Sequence, residues 1–107
     1  MATSDAHSAS VHRARLLTAV ADPSRLRIIG CLRAGPQTVG KIAEALRVPI
    51  VNASHHLGIL RHSGIVQDRK RGRFVEYRLH PEVFRPAGKS GGPESLRLDG
   101  LRLELPG

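Results

Sequence analysis

The hydrophobic period changes at Gly64, and this constrains the chain more than any other feature. Before that residue, apolar side chains recur at helical spacing between well-marked stops; after it they alternate. A cluster of short helices must therefore be followed by strands. Residues 9–20 bring Val11, Leu16, Leu17 and Val20 near one helical face, with Arg13 and Arg15 elsewhere, and predict a first helix. Asp22-Pro23-Ser24 reads as a cap with proline at the first helical position. Leu26, Ile29 and Leu32 then recur at three-residue spacing until Gly35-Pro36 ends the second helix. Thr38 can cap a short third helix with Ile42, Ala45 and Leu46 inward, broken by Arg47-Val48-Pro49. A fourth helix starts at once, with Pro49 in its first turn, Ala53, Leu57 and Leu60 inward, and Gly64 at a left-handed C-cap. Two helices joined by so short a turn make a helix-turn-helix candidate.

Beyond Gly64, residues 65–69 and 74–79 are strand-like. They are joined by Lys70-Arg71-Gly72-Arg73, with Val75, Tyr77 and Leu79 on one face, which predicts a hairpin with a basic tip. His80 to Phe84 can form one turn. Pro86, Gly88, Gly91, Gly92 and Pro93 leave no room for a long helix after it, so this stretch reads as a linker. Leu96-Arg97-Leu98 and Leu101 to Leu105 then flank Asp99-Gly100, a pair suited to a two-residue turn with positive φ at both positions. Leu98 would oppose Leu101 and Leu96 would oppose Leu103. The expected fold is mainly α with a β-hairpin wing, a winged helix-turn-helix over residues 1–85, with a leucine-rich hairpin or strand in residues 86–107.

With 107 residues, one compact core is expected, and because aromatics are only 3% that core must be aliphatic. Stacking platforms for single-stranded nucleic acid are excluded by two Phe, one Tyr and no Trp. The net charge is +8, and residues 1–85 hold all of it, with 14 basic and 6 acidic groups; residues 86–107 are neutral. Such a segment favours a polyanionic partner. No apolar run is long enough to span a membrane and the first residues lack a signal-peptide core, so a cytoplasmic protein is expected, with no membrane partner. One cysteine, Cys31, allows neither an internal disulfide nor a paired-cysteine metal knuckle.

Helices, helix-turn-helix and basic hairpin follow the order of a winged-helix DNA-binding domain, and the residues resemble the ArsR/SmtB-type repressors. Residues 21–29, Ala-Asp-Pro-Ser-Arg-Leu-Arg-Ile-Ile, match that family's DPxRLxIL segment. Ser54-His55-His56-Leu57, Leu60-Arg61 and Gly64-Ile65-Val66 match its SHHLxxLRxxGLV segment, and Gly72-Arg73 with Val75, Tyr77 and Leu79 match its wing. The likeness covers roughly residues 10–80, in three separated motifs in the right order. Two departures stand out. Pro49-Ile50-Val51-Asn52 replaces the usual polar opening of the recognition helix, and the linker and leucine hairpin replace the long final helix that normally pairs across the dimer.

By that resemblance, Ile50, Val51, Asn52, Ser54 and His55 fall on the part of a recognition helix that enters the major groove. The Asn52 amide could contact adenine at two points, and Ile50 or Val51 a thymine methyl. Alternatively, Ile50 and Val51 pack on the preceding helix and Asn52 is solvated. Lys70, Arg71 and Arg73 sit where a wing meets a phosphate backbone or minor groove, or else form a solvated basic loop. His55 and His56 point about 100° apart on a helix, and His55 and His62 stand roughly 10 Å apart along it, so no zinc site is expected there. One of the paired histidines is expected to reach DNA and the other to make a local hydrogen bond.

The resemblance also implies which metal sites are missing. The family's Cys-x-Cys region reads Pro36-Gln37-Thr38-Val39 here, and the final helix with its Asp/His pairs is absent. Asp5, His7 and His12 could gather a metal only in a dimer, and a flexible tail is the simpler reading. No cofactor is implied, and Cys31 reads as a small packing residue. No set of residues suits catalysis, so the chain is not expected to be an enzyme. The expected function is a homodimeric repressor binding an inverted repeat in double-stranded DNA. Leu96, Leu98, Leu101, Leu103 and Leu105 are expected to stabilise the dimer, and the sequence names no inducer. A basic RNA- or ribosome-associated module, or a protein-interaction adaptor, are the other readings.

Overall fold

The computed structural model describes residues 2–89 and 91–106. Four helices come first: α1 (Ala2–Val20), α2 (Pro23–Leu32), α3 (Val39–Leu46) and α4 (Ile50–His62). Between α2 and α3 lies a two-residue strand β1 (Gln37–Thr38). The wing follows as β2 (Val66–Arg71) and β3 (Phe74–Leu79), and a second sheet as β4 (Phe84–Arg85), β5 (Ser95–Leu98) and β6 (Leu101–Glu104). The sheets are ordered β1-β3-β2 and β4-β5-β6, antiparallel throughout.

The helix ends follow their local chemistry. The Asp22 carboxylate accepts from the Arg25 backbone N–H at 3.0 Å with Pro23 opening α2, and the Thr38 hydroxyl accepts from the Lys41 N–H at 3.3 Å to open α3. The third helix stops because Arg47 turns left-handed (φ 57°). The Val48 N–H reaches back to the Ala43 carbonyl, and the Arg47 N–H to that of Glu44. Gly64 (φ 79°) ends α4 in the same way, with the Ile65 N–H on the Leu60 carbonyl. Pro49 lies just outside α4, as its N-cap, and not within the first turn.

Several expectations are corrected. The first helix begins at Ala2, seven residues earlier than the apolar pattern shows, because the exposed residues 5–8 carry no core face for periodicity to detect. Val11 and Leu17 are each 37% exposed, and the buried face is Leu16, Ala19 and Val20. In α2 the inward arc is Ile28, Ile29 and Leu32, which leaves Leu26 half exposed. In α3, Val39, Ile42 and Leu46 share an arc that takes in Ala43 and lies about 110° from Ala45, so Ala43 is buried and Ala45 is not. The inward stripe of α4, Ala53, Leu57 and Leu60, is fully buried as its spacing requires.

Both hairpins are tighter than a loop. The wing strands run up to Arg71 opposite Phe74 and leave only Gly72-Arg73 as the turn, with positive φ at Gly72 alone, the pattern of a type II′ turn. Asp99 and Gly100 both have positive φ, so Leu98 opposes Leu101 and Leu96 opposes Leu103. Val75, Tyr77 and Leu79 do share a face, but only Leu79 lies in the core; Tyr77 is half-buried and Val75 is exposed at the outer end.

The tail does not swing on a linker. Phe84–Arg85 pairs with Leu96 and Ser95, so the second sheet begins before residue 86. Leu96 and Leu98 are wholly buried in the same aliphatic cluster as Leu16, Ile29 and Leu60. Two contacts fasten the sheet: the Arg13 Nε donates to the Asp99 carbonyl at 2.7 Å, and the Arg33 guanidinium holds both the Glu94 carboxylate and the Pro106 carbonyl. Leu96→Ala should therefore remove about 2–5 kcal/mol of stability in urea unfolding, as a core leucine does. Leu103→Ala, at the exposed edge, should remove far less. A Leu96 variant as stable as the parent would mean that the tail lies outside the core.

Candidate nucleic-acid interface

The buried stripe of α4 decides which of its side chains point outward. With Ala53, Leu57 and Leu60 at 0% exposure, the first turn must face solvent, and Ile50 and Val51 are 55% and 70% exposed. Asn52, Ser54 and His55 are also exposed, so all five recognition-helix candidates reach solvent at the start of α4, spread over the arc that the buried stripe leaves open. His56 differs from its neighbour. It is half-buried, and its Nδ1 lies 3.1 Å from the Arg25 Nη1; a guanidinium can only donate, so Nδ1 is the acceptor. His55 is thus the outward histidine and His56 the one with the local bond. His62 bonds the Gly58 carbonyl at 2.7 Å within its own helix.

One face of the wing gathers three arginines, while Asp68 and Lys70 lie on the other. Strand register places Gln67 opposite Arg78, Arg69 opposite Glu76 and Arg71 opposite Phe74. Arg69, Arg71 and Arg78 therefore share a side with a single carboxylate. Arg71 pairs with Glu76 at 3.5 Å while 63% of its side chain stays exposed, and the Arg78 guanidinium donates twice to the Gln67 amide oxygen. Lys70 and Arg73 are exposed at the tip and, among the described residues, have no ion-pair partner. Gly72 sits between Arg71 and Arg73 with open space around it.

Sequence reasoning missed the flank of this surface. A shallow groove is lined by Arg61 of α4 with Gln67, Arg69, Arg78 and His80, and also by the carboxylate of Asp68; a second is lined by Pro36, Arg69, Arg71, Glu76 and Arg78. Alternation along the two wing strands would have shown that Arg69, Arg71 and Arg78 fall on one side. Only the fold shows that Arg61 adjoins them. Among the described residues, no group of three or more His, Cys, Asp or Glu side chains is placed to hold a metal ion. Cys31 is half-buried against the core.

Comparison with known proteins agrees with this geometry. A family model described as a helix-turn-helix domain matches residues 20–69. The transcriptional repressor SdpR of Bacillus subtilis is 36% identical over 66 residues, which cover 62% of this chain and 73% of that protein. The arsenic resistance transcriptional regulator ArsR1 of Pseudomonas putida is 42% identical over 65 residues, 60% of this chain but only 51% of that protein. Among solved structures, a homodimeric winged helix-turn-helix DNA-binding domain from Mycobacterium bovis, a possible ArsR-family regulator, superposes with a TM-score of 0.68 at 32% identity. The match covers 71% of this chain and 70% of that one. The repressor BigR from Xylella fastidiosa gives a TM-score of 0.61 at 32% identity, over 74% and 81%. The chain belongs to the ArsR/SmtB family of helix-turn-helix transcriptional regulators.

In this ArsR/SmtB-type chain α4 is held by Arg25, which follows the Asp-Pro-Ser cap of α2. Its guanidinium donates to the Ala19 and Thr18 carbonyls at the end of α1 and to His56 on α4, while Asp22 lies 3.9 Å from the same imidazole. One side chain thus joins three helices. No helix of the described residues is long and apolar enough to cross a membrane.

The Asp22 carboxyl is held below its ordinary value, chiefly by the hydrogen bond from the Arg25 backbone N–H and further by the Arg25 guanidinium and the hydrogen bond from the Ser24 backbone N–H. A depressed carboxyl stabilises the fold above its unfolded pKa, and this contribution is lost as the pH falls through the lower folded value. As the pH falls below the ordinary carboxylate value of 3.8, Asp22→Ala should therefore flatten the acid limb of stability in thermal melts. An unchanged limb would show that the cap does not titrate in this way.

Proposed function

We propose that this chain is a homodimeric repressor that binds an inverted repeat in double-stranded DNA. The start of α4 reads bases, and the wing tip contacts the backbone or minor groove. The observation that carries this reading is the outward surface at the start of α4. Two large aliphatic side chains stay in water beside an exposed amide, which suits thymine methyls and an adenine edge. Lys70, Arg71 and Arg73, with the arginine face behind them, supply the phosphate contacts that fix the helix in register. The homodimeric assembly named for the Mycobacterium bovis domain supports the two-fold arrangement. Transcriptional regulation needs no catalytic residues of this chain, and its compartment is the cytoplasm, where the DNA lies.

Two kinds of substitution separate the two roles. Arg71→Ala with Arg73→Ala should weaken binding to every duplex and reduce the salt slope by about 0.9 for each phosphate no longer neutralised. Asn52→Ala should instead cost about 1–3 kcal/mol, concentrated at one base position of a selected target. An Asn52 variant with unchanged sequence preference would remove the base-reading role. A wing variant with unchanged salt dependence would remove the phosphate role.

Binding should also be independent of metal, since the family's ligand positions are filled here by Pro36-Gln37-Thr38-Val39 and by the second sheet. Titration of the target before and after chelation should give the same affinity. A stoichiometric transition metal whose removal changes that affinity would contradict this.

A further inference from the structure

The second sheet ends in an open edge. β6 is hydrogen-bonded to β5 on one side, and among the described residues no strand lies on the other. Leu101 and Leu103 are 37% and 36% exposed there, although they lie opposite the buried Leu98 and Leu96. A strand edge without proline is a template for another strand. The direction of its free groups can be read from its end: the Leu105 N–H donates to the Glu94 carbonyl at 2.7 Å. By strand alternation the backbone groups of residues 101, 103 and 105 face β5, and those of Arg102 and Glu104 face the open edge.

We propose that this edge takes β6 of a second copy, antiparallel, with Leu103 opposite the partner's Leu103 on the two-fold axis. The proposal rests on the homodimer reading above and says where the two chains meet. Residues directly opposite one another share a face, so the two leucine faces coincide only if the pairing is centred on a residue and not between two. Centred on Leu103, Leu101 meets the partner's Leu105, and Arg102 meets the partner's Glu104, twice over by symmetry. Arg102 and Glu104 are also the residues whose N–H and C=O groups point outward, so each of these pairs exchanges backbone hydrogen bonds as well. Centred on Arg102 or Glu104 instead, like charges would meet on the axis.

Leu-Arg-Leu-Glu-Leu is thus complementary to itself in this one register. Among the described residues these charges form an ion pair only with each other, and a loose one: Arg102 and Glu104 approach to 3.9 Å, with side chains 60% and 65% exposed. Pairing joins the two three-stranded sheets into one continuous sheet across the axis.

A charge exchange on the full chain tests this by sedimentation over the micromolar range, with circular dichroism confirming the fold. Arg102→Glu places two carboxylates opposite each other at both symmetric positions, and Glu104→Arg does the same with two guanidinium groups. Each should raise the dimer Kd about ten-fold. The doubly exchanged chain should regain the parent Kd, and so should an equimolar mixture of the two single variants, because their charges are complementary. Arg102→Pro, which removes an outward N–H without touching the bonds to β5, should also weaken the dimer. Single variants as tight as the parent, or a mixture as weak as its components, would overturn the β6 interface while leaving the homodimer standing. A parent chain that stays monomeric would overturn both.

Discussion

The surface at the start of α4 is positioned by the burial of one narrow stripe of that helix. Ala53, Leu57 and Leu60 are completely enclosed, and the left-handed Arg47 opens a turn of only three residues between α3 and α4. Given that stripe, the first turn of the helix has no freedom to face inward. Ile50, Val51, Asn52, Ser54 and His55 are displayed together because their neighbours are not. Arg25 then fixes the helix against α1 and α2 through His56, so the displayed surface rests on a rigid element and not on a loop.

The parts legible in the sequence were those set by local chemistry. Asp22-Pro23, Thr38, Gly64 and Asp99-Gly100 each dictate a cap or turn almost alone, and each stands where its chemistry requires. The α4 stripe and the leucine register of the tail hairpin followed from spacing. What spacing could not supply was the choice among apolar residues when more are present than the core can hold. Leu26 and Leu17 have helical spacing but lie outside arcs centred near Leu32 and Leu16. The start of α1 was invisible for the opposite reason: exposed helix has no periodicity to detect. Strands of two residues, β1 and β4, exist only through their long-range partners, Tyr77 and Leu96 among them.

The candidate site was legible in a similar proportion. The residues at its two tips follow from motif positions and are exposed in the structure. The arginine flank was hidden because it is assembled from two strands and the far end of a helix. The tail shows the same limit at larger scale. Five leucines in a short segment announce that the segment must be covered, but not by what. The structure assigns Leu96 and Leu98 to their own core, packs the half-buried Leu105 against that core and leaves Leu101 and Leu103 at an edge. Arg13 and Arg33, whose charges read from sequence only as part of the basic excess, turn out to fasten that sheet.

Hydroxyl-radical footprinting of the full chain on a duplex selected from a random pool most directly tests whether this exposed helix and wing act as a two-fold pair. Two protected half-sites should appear, related by a dyad and spaced by about one helical turn or a multiple of it, 10–10.5 base pairs. A single asymmetric footprint, or structured RNA bound as tightly as the selected duplex, would contradict the account.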